Sequence, residues 1–354
     1  MNLKKDKISA RLIEFDIIKC LAIFLVICGH SILHLSSENT YNNSLYIFIT
    51  SFHMPLFMLI AGFFSVSSLN LSFKDLFKKK FIQLISPCLS FGLVFYLVNV
   101  IVLHIQYDNI LLYFINTFWF LKSCFLCYFI LYLTLKIFKY HRYIGLIIAF
   151  IGSQAMPVFK LNWMLPFFIT GYILANNYDF LIKYKNFVFI ISTIVFSILL
   201  MIYDASTMSS LSGIKNEILN GNFQILSKVI SLQFYRYFLG LAGSLTIISL
   251  IMIIINNFNS SNIIGFFNSY GKDTLGIYII QTLVLENIMS QFIDISHINI
   301  YVFSFLITPL VSFVIMDLCV DILNFIRKNQ HLHLFFFGKK GKIFSNKKRL
   351  ITQN

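Results

Sequence analysis

The run LIEFDIIKCLAIFLVICGHSILH, residues 12–34, decides how the chain is read. A helix needs about 20 apolar residues to cross the hydrocarbon core of a bilayer, and this run supplies them. It follows Lys4, Lys5, Lys7 and Arg11 as a signal peptide would, yet Asp16 and Lys19 interrupt it and no small-residue cleavage site follows. The reading is a retained first membrane helix. Asp16, Lys19 and His30 lie inside it, where an ionisable group costs roughly 2.5 to 3.5 kcal/mol on insertion scales. At 100° per residue the three turn to within about 60° of one another and share a face. Asp16 and Lys19 are i,i+3 neighbours that can neutralise each other. His30 sits about 16 Å further along, toward the outer leaflet. The bland alternative is a structural ion pair with a packing histidine.

Apolar runs recur through nearly all 354 residues, of which 58% are hydrophobic and only 12% charged. A soluble domain carries about 25% charged residues, so lipid is the solvent here. Spans are expected at 12–34, 45–67, 81–103, 118–138, 143–158, 163–177, 186–203, 228–255, 274–293 and 300–323. The fold class is thus all-α integral membrane, with about ten transmembrane helices in a domain over 1–326 and a basic tail over 327–354. Lys74 and Lys78 to Lys80, then Lys136, Lys139 and Arg142, then Lys183 and Lys185, then Lys272 and the tail mark every second loop as basic. The opposite loops hold little beyond Lys160 and Lys215, which places both termini in the cytoplasm and the chain in the inner (plasma) membrane. The net charge of +14 is therefore topology information and not a nucleic-acid footprint. Among the outer loops only that from Asp204 to Lys228 is long.

The six cysteines all fall inside apolar runs, so no disulfide framework is indicated. Cys124-x-x-Cys127 lacks the βαβ context of a redox motif and reads as small-residue packing. His331-x-His333 is too sparse for a metal site, and no metal is expected. His53 lies at a depth comparable with His30 on the next, antiparallel helix, so the two histidines can meet. Pro55 beside it frees carbonyls that polar neighbours can use. Arg236 and Glu286 fall at similar outer depth on helices eight and nine and make a plausible pair. Asp317 and Asp321, near the inner end of helix ten, read as capping groups. Lys78 to Lys80 read as a topology signal and an anionic-lipid contact, and a phosphate-bearing cofactor would use the same charges.

The stretch from Arg11 through Glu14, Asp16, Lys19 and Gly29-His30, then Phe52-His53-Met54-Pro55-Leu56-Phe57 and Ala61-Gly62-Phe63, resembles the opening of the membrane-bound acyltransferase type three family, in its fucose 4-O-acetylase-like branch. Trp119-Phe120-Leu121, Leu165-Pro166-Phe167-Phe168 with Gly171-Tyr172, and Gly271 to Tyr278 continue the resemblance in order along the chain. It implies a ten-helix enzyme that moves acetyl from acetyl-CoA to a hydroxyl of a cell-surface glycan (capsule, O-antigen or exopolysaccharide) or its lipid-linked precursor. By position, Lys19 and His30 match the family's basic residue and histidine in helix one, where arginine is commoner at the first place. Lys79 and Lys80 match a basic cluster at helix three, although Gln83 stands where a second arginine is often found. Ala61 replaces a frequent serine, and Gln281 stands where some relatives have histidine.

On that resemblance His30 is expected to be the base or a transient acyl carrier, with His53 as its polar partner and Lys19, held by Asp16, on the donor's path. Arg11, Lys79 and Lys80 are expected to hold the phosphates of CoA. Arg236, Glu286 and Trp119 are expected on the acceptor side. Trp119 and Tyr278 could stack on sugar faces, although abundant aromatics also serve as interface anchors. The main rival is a transporter or flippase for a lipid-linked sugar, which would show internal repeats with paired broken helices, and no period relates the two halves. A non-enzymatic partner in envelope assembly would leave the polar face of helix one unexplained. The sugar, its hydroxyl and the oligomeric state leave no signature in the residues.

Overall fold

Each of the ten expected runs is helical in the computed structural model of the protein, which describes residues 12–36, 40–156, 158–203, 223–257, 267, 270–293 and 298–338. Besides short helices at Val66–Leu69, Ile110–Asn116 and Tyr178–Lys183, the helices are α1 (Ile13–Leu35), α2 (Ser44–Phe63), α3 (Phe73–Val102), α4 (Trp119–Ile137), α5 (Arg142–Ser153), α6 (Leu161–Asn176), α7 (Lys185–Met201), α8 (Phe223–Asn257), α9 (residues 274–292), α10 (Ile300–Lys328) and α11 (Gln330–Phe337). No strand occurs among the described residues. Lipid offers the backbone no hydrogen-bond partners, and helices satisfy their own. Seven spans are long and apolar enough to cross a membrane: α1, α2, α3, α4, α6 together with the turn before it (Val158–Asn176), α8 and α10. The expectation of ten rests on α5, α7 and α9. α5 has 12 residues, which is about 18 Å and short of the hydrocarbon core. Arg11 and most of the long loop after Tyr203 lie outside the described residues.

α3 starts at Phe73 and not near residue 81, because Ser72 caps it. The Ser72 hydroxyl accepts from the Asp75 backbone N–H at 3.2 Å and donates to the Asp75 carboxylate at 2.6 Å. Lys78, Lys79 and Lys80 therefore sit within a helix, so their side chains fan to different faces. After α10 the chain folds back: the Phe336 ring of α11 lies 4.2 Å from that of Phe91 on α3, and Ser90 donates to the Phe336 carbonyl at 2.9 Å.

α1 runs through the middle of the bundle, packed by α2, α8, α9 and α10. Small residues set how closely the helices approach. A methyl added at Gly62 would lie 2.0 Å from the Phe168 carbonyl oxygen, and one at Gly171 2.0 Å from that of Leu59. These reciprocal glycines let α2 and α6 touch backbone to backbone. A methyl at Gly271 would lie 2.0 Å from the Asp16 carbonyl oxygen, so the chain entering α9 is seated directly on α1 beside Asp16. α9 then widens into a π-helical stretch over Thr282–Met289, a distortion frequent at functional sites.

Candidate active site

Widening of α9 brings Thr282, Glu286 and Asn287 to one cavity wall, opposite His30 of α1. His30 Nδ1 and Glu286 Oε1 are 2.7 Å apart, both half-buried with 27% of their side-chain surface exposed. The contact is an ion pair in distance, but off the axis of an aligned hydrogen bond. Catalytic hydrogen bonds of empty sites often tighten only with substrate present. His34 stands one turn on, its ring 5.8 Å from that of His30. The i,i+4 spacing of His30 and His34 was the available signal for this neighbour.

This cavity holds about 690 Å³. His53 lines it too, but its Nδ1 bonds the Ile49 carbonyl at 2.8 Å within α2. The contact made by His30 is with Glu286, while His53 shares the cavity wall with its Nδ1 held by the Ile49 carbonyl of its own helix. Arg236 and Glu286, expected as a pair, are also apart. Arg236 stacks on Trp163 with its Cζ 3.6 Å from the ring centroid. Lys160 lies 4.2 Å from the ring centroid of Trp119. Trp163 and Lys160 were not among the residues singled out from the sequence, where Lys160 reads only as a loop charge.

A second cavity of about 720 Å³ lies toward the Asp16 end of α1. Asp16, Lys19, Lys80, Gln83 and Lys272 line it. Lys19 donates to Asp16 at 3.1 Å, the local pair that the i,i+3 spacing expected. Lys80 is buried, donates to Gln83 at 3.3 Å and lies 3.7 Å over the Tyr128 ring. Lys79, the next residue round the helix, is exposed and does not reach this cavity. Met54 and Tyr278 line both cavities and form the partition between them.

Among the described residues, His30, His34 and Glu286 form a group that could share a cation, with ligand atoms within 4.8 Å of one another. A zinc ion with bonds of about 2.0 to 2.2 Å holds its ligands more than about 3 Å apart. The direct His30–Glu286 contact is closer than that and describes a dyad better than a metal cage. The six cysteines are all buried and free, Cys124 and Cys127 included.

No curated protein and no solved structure matches this chain. A family model of an acyltransferase domain matches residues 12–317, which takes in α1 through much of α10 and every residue that lines the two cavities. With its apolar helices and its polar interior matched together over that length, the chain belongs to the acyltransferase 3 family of membrane acyltransferases.

Proposed function

We propose that this membrane acyltransferase is an O-acetyltransferase of the fucose 4-O-acetylase-like branch, moving acetyl from acetyl-CoA to a hydroxyl of a cell-surface glycan or its lipid-linked precursor. The observation that supports it most is the pair of unlike cavities meeting at Met54 and Tyr278. One is lined by lysines and suits a phosphate-bearing donor. The other is lined by aromatic rings and side-chain amides around His30 and suits a sugar. The lysine-lined side faces the cytoplasm by the loop charges, where acetyl-CoA is made.

Lys19, Lys80 and Lys272 hold the donor's phosphates, and the thioester end of its flexible arm passes between Met54 and Tyr278. With substrate bound the contact tightens so that Glu286 accepts from the Nδ1–H of His30, which leaves Nε2 with a lone pair to act as base. Nε2 takes the proton from the acceptor hydroxyl as its oxygen attacks the thioester carbonyl carbon. A C–O bond forms, the C–S bond breaks, and the proton returns from His30 to the departing CoA sulfur. Glu286 stabilises the imidazolium between those two steps.

The test is transfer of radiolabelled acetyl from acetyl-CoA into isolated glycan by the full chain in proteoliposomes. General acid–base catalysis contributes roughly 10² to 10⁴-fold, so His30→Ala is expected to lose at least about a hundredfold in turnover per folded molecule. Retention of more than about a tenth removes His30 as the base. Label that enters no glycan under any condition overturns the acceptor class.

A further inference from the structure

Among the described residues, two cations line the His30 cavity with no carboxylate partner. Lys160 and Arg236 each rest on an indole ring, and no ion pair involves either of them among the described residues. Both line the same cavity. Among the described residues the acid that lines this cavity is Glu286, which faces His30. Arg236 Nε and Trp163 Nε1 are both buried with no hydrogen-bond partner among the described residues, and Trp163 is only 9% exposed. A buried donor without a partner costs about 1 to 3 kcal/mol. Arg, Lys and indole N–H groups can only donate, so a group that meets them must accept, and two cations at one site favour an acceptor that carries negative charge.

The backbone is bent to bring these groups here. Phe118, Phe159 and Lys160 have φ of 55°, 49° and 58°, a left-handed conformation that costs a non-glycine residue about 1 to 2 kcal/mol. These turns launch α4 at Trp119 and α6 just after Lys160. Such cost is found where the surroundings hold a residue for a purpose. From these donors we infer that the acceptor glycan carries an anionic group, a carboxylate or a phosphate, seated between Lys160, Arg236 and the Trp163 N–H. The neutral amides of Asn162 and Gln233 along the same wall serve the sugar hydroxyls. The inference rests on the acceptor reading above and narrows it to acidic sugars or sugar phosphates.

The two tryptophans of the chain, Trp119 and Trp163, both line this cavity, so tryptophan emission, excited at a wavelength where the tyrosines do not absorb, reports on it. The full-length protein, purified without acetyl-CoA, is titrated with methyl β-D-glucuronide, glucose 1-phosphate and methyl β-D-glucoside. One or both anions are expected to give saturable quenching with a Kd at least about tenfold below the neutral glycoside's, about 1.4 kcal/mol. Preference for the glucuronide assigns a carboxylated sugar, and preference for the phosphate assigns a phosphorylated one. Arg236→Gln and Lys160→Asn are each expected to bring the anion's Kd to within about threefold of the glucoside's. Asn tolerates the left-handed backbone of position 160, so this variant decides if Arg236→Gln does not fold. Equal binding of all three probes, no saturable binding of any, or a preference that survives both substitutions overturns the proposal. No acetyl is transferred in this assay, so anion binding without acetyl transfer in the proteoliposomes counts against the enzyme reading alone.

Discussion

Replacing Glu286 with Gln keeps the shape of the side chain and removes the charge that faces His30 Nδ1 at 2.7 Å. A hydrogen bond to a charged group is worth about 1.5 to 3 kcal/mol, and each 1.36 kcal/mol is about tenfold in rate. If that contact tightens as the imidazolium forms, Glu286→Gln loses about 10- to 150-fold in kcat with little change in KM for acetyl-CoA, because the donor cavity is untouched. The assay is acetyl transfer per folded molecule, with folding scored by size-exclusion chromatography in detergent. The diagnostic variant is the double replacement. If Glu286 acts only through His30, then His30→Ala with Glu286→Gln is no slower than His30→Ala alone, since groups that act as a unit are not additive. A product of the two single losses would show that Glu286 works on substrate independently or merely holds α9 in place. A loss below about threefold in the single variant would show that the contact seen in the empty site does not tighten in the reaction.

The split between the two adjacent lysines makes a second expectation: Lys80→Ala raises the KM for acetyl-CoA by about tenfold or more, while the exposed Lys79→Ala changes it by less than about threefold. Preincubation with a strong chelator is expected to leave the rate unchanged, as the direct His30–Glu286 contact requires, and inactivation reversed by zinc would replace the dyad with a metal site. Gly62→Ala forces a methyl against a backbone carbonyl and is expected to cost about 1 to 3 kcal/mol, read as a lower thermal midpoint in detergent. Gly152→Ala on α5, where a methyl meets nothing within 4 Å, is the control and is expected not to lower it. Reporters fused after Ser68 or Lys185 are expected to read cytoplasm and one within residues 204–222 the outside, and reversal of either breaks the assigned topology.

The amino-acid sequence by itself determined the solvent, the secondary structure and one polar contact. Runs of about 20 apolar residues can lie in lipid only as helices, so their positions were legible without knowing what they touch. The Asp16–Lys19 pair was legible for a related reason: its geometry is fixed by one turn of one helix. The motif residues Gly62, Gly171 and Gly271 were visible in the sequence, but not that each admits another segment's backbone. Tertiary structure alone decided which polar groups on different helices meet. Depth in the membrane allowed His30 to pair with His53, and Arg236 with Glu286, because depth follows from counting residues. Rotation about the helix axis does not, and it is set by neighbours distant in sequence. Rotation turned Glu286 to His30 and laid Arg236 on Trp163. Lys79 and Lys80 show the same limit at its smallest scale. They differ by 100° around one helix, and only the packing of α3 against α4, with Tyr128 beneath Lys80, decided which of two identical side chains faces the donor cavity.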